Sequence, residues 1–403
     1  MRNPLNRGQD MGAIKREGKR VLLSGIHYMQ AKAEMARVSA ELKRYSFDVI
    51  QNQKPEKKRS ILFLITRMVR FHGGQTSLLR LGTKLCAMGF DVGYAVYKPQ
   101  SREEMALCAK SNLADFRGHL FTMEDLSHMI SGEKKSADLV VASSWDTVSF
   151  AKKLPGYKMY FVQDYEPYFY QFGEIFLLAK KTYEQGLHMV SLGAWNKKMI
   201  ERECRPVSAI DVIDFPYEAA EYPFRERDFL TYQNKKTLRL AVYLKYYGKR
   251  LPCIIPDLLC KLKKLLAEQN IVLLVDYFGE AESFHAPGGR NLGMLNKEEL
   301  RNLYYNSDFG MVASLSNISL VPYEMLSAGL PVIEFADGTF SEFFPEGSAT
   351  LIGLSAGELC GKLLALLREP EKLKLQLSRA RAYMDGLGWE KSAAQFAEII
   401  KGI

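Results

Sequence analysis

The stretch SLSNISLVPYEMLSAGLPVI, residues 314–333, decides the fold. The apolar run Phe309–Ser314 before it has strand length, Val321–Ala328 has the composition of a helix, and Gly329-Leu330-Pro331 stops that helix and feeds a second strand, Pro331–Phe335. Pro322 near the first helical position costs no hydrogen bond there. A Ser/Asn loop between strand and helix leaves backbone N–H groups unpaired, and such groups cradle phosphate. The spacing places Glu324 in the first helical turn, within reach of a ribose hydroxyl. This strand, loop, helix and strand form a βαβ unit, the building block of a parallel sheet.

The same alternation extends outward in both directions. Towards the C-terminus, Ala356–Arg368 and Pro370–Asp385 read as helices. Towards the N-terminus, Lys297–Asn306 reads as a helix, Ile271–Phe278 as a strand, Ile254–Gln269 as a helix and Leu238–Leu244 as a strand. The polar stretch Arg225–Lys236 separates this half from an earlier one, in which Ser60–Thr66, Gly89–Tyr97, Asp138–Ser143, Tyr157–Gln163 and His188–Leu192 read as strands and Thr76–Met88 as a helix. Strands alternating with helices predict parallel α/β sheets. At 403 residues the chain suits two such domains. Before them, Tyr28, Ala31, Met35, Val38, Leu42 and Tyr45 recur at three- and four-residue steps, an apolar helical stripe expected to pack on a domain.

Composition narrows the function. Hydrophobic residues make up 47% and charged residues 25%, so a core can form. No apolar run reaches the roughly 18–20 residues of a membrane span. The N-terminus lacks an apolar signal-peptide segment, so the cytosol is expected. None of the six cysteines forms C-x-x-C, and the histidines show no ligand spacing, so no metal site is expected. Of the net +9, residues 1–60 carry +8 (14 Lys and Arg against six Asp and Glu). The near-neutral remainder argues against nucleic-acid binding. The basic leader is expected either as a solvated helix face or as a peripheral contact with the anionic inner face of a membrane.

In open α/β sheets, ligands bind beyond the carboxyl ends of strands. Four segments stand there. Gly73-Gly74 follows the first strand, where small residues let a ligand approach the backbone. Phe161–Tyr170 (FVQDYEPYFY) ends a strand in Gln163, Asp164 and Glu166, followed by aromatics. Its polar groups bind hydroxyls and its rings cover sugar C–H faces. Tyr243–Arg250 (YLKYYGKR) brings Lys245 and Arg250 to the end of the second half's first strand, where cations suit a diphosphate and stabilise it as a leaving group without metal. The fourth segment is the Ser316, Asn317, Ile318, Ser319 loop with Glu324.

The last segment resembles the donor-binding signature of glycosyltransferase family 4. That family's pattern is a Glu, seven residues, a second Glu, a small-residue helix and G-x-P-V. The second Glu falls on Glu324 and the first on Ser316. Asn291-Leu292-Gly293-Met294-Leu295, then Glu298-Glu299-Leu300 and Leu303–Asp308, follow the family's order. Gly73 and Gly74 fall where the family has donor-side glycines, and Lys245 and Arg250 where it has a basic pair. Phe161–Tyr170, Ser144-Trp145-Asp146-Thr147 and Gly193-Ala194-Trp195 are similar to a subset, the rhamnosyltransferases that use dTDP-rhamnose for surface polysaccharides and S-layer glycans; that subset also tends to lack the first Glu.

The resemblance covers roughly residues 58–385 and implies the GT-B fold, two Rossmann-like domains facing across a cleft, here with an extra N-terminal helix. It implies a leader over residues 1–57, an acceptor domain over 58–236, a nucleotide-sugar domain over 237–385 and a C-terminal helix over 386–403 that crosses back. The expected catalytic residues are Lys245, Arg250, Asp164 and Glu166. The expected donor site adds Gly73, Gly74, Gln163, Gly293, Met294, Ser316, Asn317, Ile318, Ser319 and Glu324. The expected reaction is a retaining, metal-free sugar transfer, with dTDP-rhamnose as co-substrate and a glycan or lipid-linked glycan as acceptor. The alternatives are a UDP- or GDP-sugar donor, or a catalytically weak sugar-nucleotide-binding subunit of a glycan-synthesis complex.

Overall fold

The computed structural model describes residues 25, 28–36, 38–40, 42–233, 235–246, 248–281, 283 and 285–403. Two parallel sheets organise them. The first has the order β3-β2-β1-β4-β5-β6-β7, with β1 Ser60–Ile65, β2 Asp91–Val96, β3 His119–Phe121, β4 Leu139–Ala142, β5 Tyr157–Val162, β6 His188–Leu192 and β7 Ile210–Ile213. Its helices are α1 Gly73–Ala87, α2 Arg102–Asn112, α3 Met123–Ser131, α4 Val148–Ala151, α5 Glu174–Thr182 and α6 Ala194–Glu203. The second has the order β10-β9-β8-β11-β12-β13, with β8 Thr237–Tyr243, β9 Val272–Phe278, β10 Arg290–Asn291, β11 Phe309–Met311, β12 Val332–Phe335 and β13 Thr350–Ile352. Its helices are α7 Ile254–Glu268, α8 Lys297–Asn306, α9 Leu320–Ser327, α10 Phe340–Phe343, α11 Ala356–Arg368 and α12 Glu371–Met384, and α13 Trp389–Gly402 closes the chain.

The apolar runs explain the sheets. Strands covered on both faces read as continuous hydrophobic stretches, and Ile61–Ile65 and Leu139–Ala142 are buried throughout. Each sheet reverses its strand order once, between β1 and β4 and between β8 and β11. The crevices at these two reversals are where parallel sheets hold ligands. The final helix α13 lies on the first sheet, with the Phe396 ring centroid 6.4 Å from Phe63 and 6.1 Å from Phe161. Residues 215–232 run along the second sheet's domain: the Phe215 ring stacks on Tyr323, and Arg227 donates to the carbonyls of Tyr304, Ser307 and Gly329.

The leader differs from expectation. Its described residues are helical as far as Leu42 and no longer helical beyond Arg44, and the stripe is not packed along its length. Val38 is buried against Trp145, Ile175, Leu178 and Ala179, and Tyr45 is half-buried. Tyr28, Met35 and Leu42 stay 64%, 68% and 45% exposed, and Ala31 is exposed as well. A helix that meets a domain near one end buries only the residues that reach it; periodicity predicts a face and not its cover. Residues 1–24, which hold much of the leader's charge, lie outside the described part. Below the helix the chain is tied down along the first domain, by Ile50 N–H to the Gln185 carbonyl and Asn52 Nδ2 to the Lys158 carbonyl.

Candidate active site

The loops after β1, β4, β5 and β6 and those after β8, β9 and β11 follow the carboxyl ends of their strands, and those after β5, β6 and β11 meet between the sheets. Asp164, just beyond β5, is the junction. Its Oδ2 accepts from Ser316 Oγ at 3.0 Å and from Lys249 Nζ at 2.8 Å. Its Oδ1 accepts from the Asn317 N–H at 2.9 Å and from its neighbour Tyr165 N–H at 2.8 Å. Asn317 Nδ2 adds bonds to the carbonyls of Gln163 at 2.6 Å and Leu192 at 3.0 Å. The first domain's strand ends are thus hydrogen-bonded to the second domain's Ser/Asn loop. Gly193, at φ 83°, sits beside the ring of Phe343, 2.6 Å from where a Cβ would stand. A side chain there would force the Phe343 ring to move, in a backbone conformation that favours glycine.

The Ser/Asn loop is held from beneath. Glu334 on β12, wholly buried, accepts from Ser314 N–H at 3.1 Å and Ser314 Oγ at 2.7 Å. Burial raises its carboxyl to about 7, against the pull of Ser314 and of nearby Arg250. Thr339 donates to the carbonyls of Ser314 and Ser316. Helix α9 begins at Leu320 with Ser319 as its N-cap. Pro322 is therefore the third helical residue, and Glu324 lies in the second turn rather than the first. Glu324 accepts from Tyr304 at 3.3 Å, and burial followed by the Glu221 charge lifts its carboxyl to about 7. Asn317 Oδ1 and Ser319 Oγ are buried without a protein hydrogen-bond partner. A buried polar atom without a partner costs about 1–3 kcal/mol, so such atoms in a loop mark a place for a ligand or water.

Arg250 and Lys249 stand beside this loop, with Lys245 near Arg250. Arg250 is buried, donates to the Ala313 carbonyl at 2.6 Å and lies 5.4 Å from the Tyr243 ring centroid. Lys245 is half-buried, and loss of water lowers its pKa. Lys249, which sequence reasoning passed over beside Arg250, pairs with Asp164 and stands 4.0 Å from the Phe169 ring centroid. The Lys-Arg doublet was its only signal. His72 was passed over as well. It caps α1 by accepting the Gln75 N–H at 3.3 Å, after Phe71 in the left-handed region at φ 53°. Partial desolvation and the charges of Lys245 and Lys249 lower its pKa.

The remaining predicted residues divide into two groups. Gly73 and Gly74 are the first residues of α1 rather than a turn before it. A Cβ on Gly74 would stand 3.4 Å from Gln163 Oε1, which places Gln163 against the start of α1. Gly293, at φ 78°, accepts from the Gly279 N–H at the end of β9, Met294 is exposed and Ile318 is buried. Glu166 departs from its expected role on the sugar side of the cleft. It is only 5% exposed and accepts from Trp145 N–H at 2.8 Å and Tyr160 Oη at 3.1 Å. Both oxygens are engaged inside the first domain, where Glu166 ties the end of β4 to β5. Burial, with the Asp146 charge adding to it, raises its carboxyl to about 8.

No family model matches the sequence, and no curated protein matches it. Solved structures do. HepE from Anabaena, crystallised with UDP and glucose, superposes with a TM-score of 0.65 at 12% identity, over 86% of this chain and all of its own. WaaG, a glycosyltransferase of lipopolysaccharide biosynthesis, has a TM-score of 0.59 at 16% identity, over 85% of this chain and all of its own. A putative UDP-N-acetylglucosamine 2-epimerase from Listeria monocytogenes has a TM-score of 0.54 at 15% identity, over 86% of this chain and 96% of its own.

Glu166 links this site to stability. Its pKa is raised from about 4.5 unfolded to about 8 folded. The folded state therefore binds more protons between these values, and stability falls as pH rises through that window. Glu166→Gln removes that component. Its melting temperature is expected to drop less than the wild type's between pH 6 and about 8.5; parallel curves would show that Glu166 is ionised in the fold at neutral pH. With two parallel α/β sheets joined through Asp164 and the Ser/Asn loop, the chain has the GT-B fold, two Rossmann-like domains facing across a cleft.

Proposed function

We propose that this protein is a glycosyltransferase that moves a sugar from a nucleoside-diphosphate donor onto a glycan. The observation that carries the reading is the Ser316–Ser319 loop at the start of α9. It has buried unpartnered oxygens on Asn317 and Ser319; Arg250 is fixed on the Ala313 carbonyl just before it, and Lys249 is paired with the Asp164 that the loop holds. Backbone N–H groups at a helix start favour a diphosphate, and cations fixed around them stabilise it more as it leaves than while it is esterified to sugar. Lys245 and Arg250 are read as the leaving-group cations, Glu324 as the ribose ligand, and Gln163 with Asp164 as the sugar-side groups. The charge of the leaving group is met by these side chains, so the proposed transfer needs no divalent metal. Retention of configuration follows only from the family resemblance.

The donor is proposed to be dTDP-rhamnose, on the resemblance around Gln163–Tyr170. UDP-glucose is the first competitor, since HepE was crystallised with it. A thermal-shift screen with dTDP, UDP, GDP and ADP decides between them, because a ligand at one hundred times its Kd adds about 2.7 kcal/mol of apparent stability. The largest shift is expected from dTDP. A response to UDP or GDP without one to dTDP refutes the rhamnose assignment, and no response to any of the four refutes the donor site. Incubation of the matching sugar nucleotide with and without a glycan acceptor separates transfer from epimerisation and from mere binding.

Arg250→Ala is expected to lower the transfer rate about 100-fold, the range for losing one electrostatic stabiliser, and EDTA is expected to leave the wild type unchanged. A fully active variant would remove Arg250 from the mechanism, and collapse in EDTA would remove the metal-free step.

The acceptor is proposed to be lipid-linked and met at the inner face of a membrane. The leader supplies +8 over residues 1–60, and its exposed Tyr28, Met29 and Met35 supply apolar contact. Basic residues near an anionic surface contribute about 1 kcal/mol each. Full-length protein should float with anionic liposomes at low salt and release at high salt, and a form lacking residues 1–20 should bind less. Equal bound recovery of the two forms would discount residues 1–20, and recovery of neither form at low salt would discount the leader.

A further inference from the structure

The donor set gathered on Asp164 is that of a bound phosphate. One loop N–H (Asn317, 2.9 Å), one hydroxyl (Ser316, 3.0 Å) and one ammonium (Lys249, 2.8 Å) converge on its carboxylate from the opposite domain. These are groups that the proposed function assigns to the donor's diphosphate, or their immediate neighbours. Asp164 is 9% exposed, so little water shares the position. Beside it, Asn317 Oδ1 and Ser319 Oγ are left without protein partners, so the loop is filled at its anionic position and incomplete around it. Two anions cannot share one set of donors at hydrogen-bond distance, because neither could keep its partners and each would repel the other in a site of low dielectric constant.

Resting on the reading of this loop as a donor site, we propose that Asp164 is an internal anion that occupies the diphosphate position in the empty enzyme and is displaced when the donor binds. The empty cleft is sealed by a carboxylate of the first domain, and the loaded cleft is sealed by the donor itself. Entry of the diphosphate breaks the three cross-cleft bonds of Asp164 and reuses their donors. Donor affinity is then lower than the site's intrinsic affinity by the fraction of time in which Asp164 is dissociated. A released Asp164 stands at the strand end beside Gln163, ready to accept from a sugar hydroxyl.

The test is binding, measured by calorimetry, of inorganic pyrophosphate, the nucleoside diphosphate chosen by the donor screen and the matching nucleoside, to wild type and to Asp164→Asn. The variant is expected to bind pyrophosphate and the nucleoside diphosphate about tenfold tighter and the nucleoside equally well. The gain is expected to persist at high salt, where long-range repulsion is screened. Equal or weaker diphosphate binding by the variant overturns the proposal, and a gain that disappears at high salt overturns it too, since Asp164 would then act only through its distant charge. If neither form binds any diphosphate, the donor-site reading itself fails. A crystal structure of the wild-type enzyme with the nucleoside diphosphate gives a second test that does not depend on the variant folding. The Asp164 carboxylate is expected to have left the Asn317 N–H, and a retained Asp164–Asn317 bond with diphosphate in place overturns the proposal.

Discussion

The Asp164 carboxylate is the interaction on which the arrangement of the two domains rests. It is one residue on a strand end, yet it holds a hydroxyl, a backbone N–H and an ammonium of the other domain. Removing one partner of a buried ion pair leaves a charge without compensation, at a cost of about 3–5 kcal/mol. The contact therefore fixes how the second domain's loop sits over the first domain's strands. Asn317 reinforces it by giving its amide hydrogens to the Gln163 and Leu192 carbonyls. The cleft is in this way built around an anion position that the protein itself fills.

A second layer keeps that position in shape. Glu334 and Thr339 anchor Ser314 and Ser316, and Arg250 is fixed by the Ala313 carbonyl and the Tyr243 ring. Glu166 does the matching work in the first domain, where it joins the Trp145 N–H to Tyr160. Both carboxyls are buried, and burial raises Glu334 to about 7 and Glu166 to about 8, so their hydrogen bonds hold the backbone in place while their charge is reduced. At the cleft, Lys249 faces Asp164, and Arg250 stands behind the Ser/Asn loop. Their excess is the electrostatic character a diphosphate requires.

Helix α8 over Lys297–Asn306 and helix α11 over Ala356–Arg368 were read to the residue. Asn296 with Glu299 forms a capping box, and Ser355 caps the other helix; such local hydrogen bonds define a helix start within a few residues of chain. The central strands were legible for a similar reason, since burial on both faces demands an unbroken apolar run. Strands β3, β7, β10 and β13 were not read. They are the four edge strands of the two sheets, where cover on both faces is not required and no unbroken apolar run marks them, and they exist because a longer neighbour offers its edge. The leader failed in the opposite way. Its period was clear, but a period does not state what covers the stripe, and only Val38 is buried.

The sequence by itself determined the two parallel α/β halves, the loops that follow their strands and the residue types gathered there, because these depend on periodicity, caps and turn chemistry within some twenty residues. It placed Lys245, Arg250, Asp164 and the Ser316–Ser319 loop among the functional candidates without saying which would touch. Only the tertiary structure decided that. Asp164 and Ser316 are separated by 152 residues, and no local preference encodes a pairing over that distance. It also separated Asp164, at the cleft, from Glu166, two residues on and sealed in the core. A short 3-10 helix begins at Glu166, and the partners each carboxyl meets, rather than residue type, set what it can do.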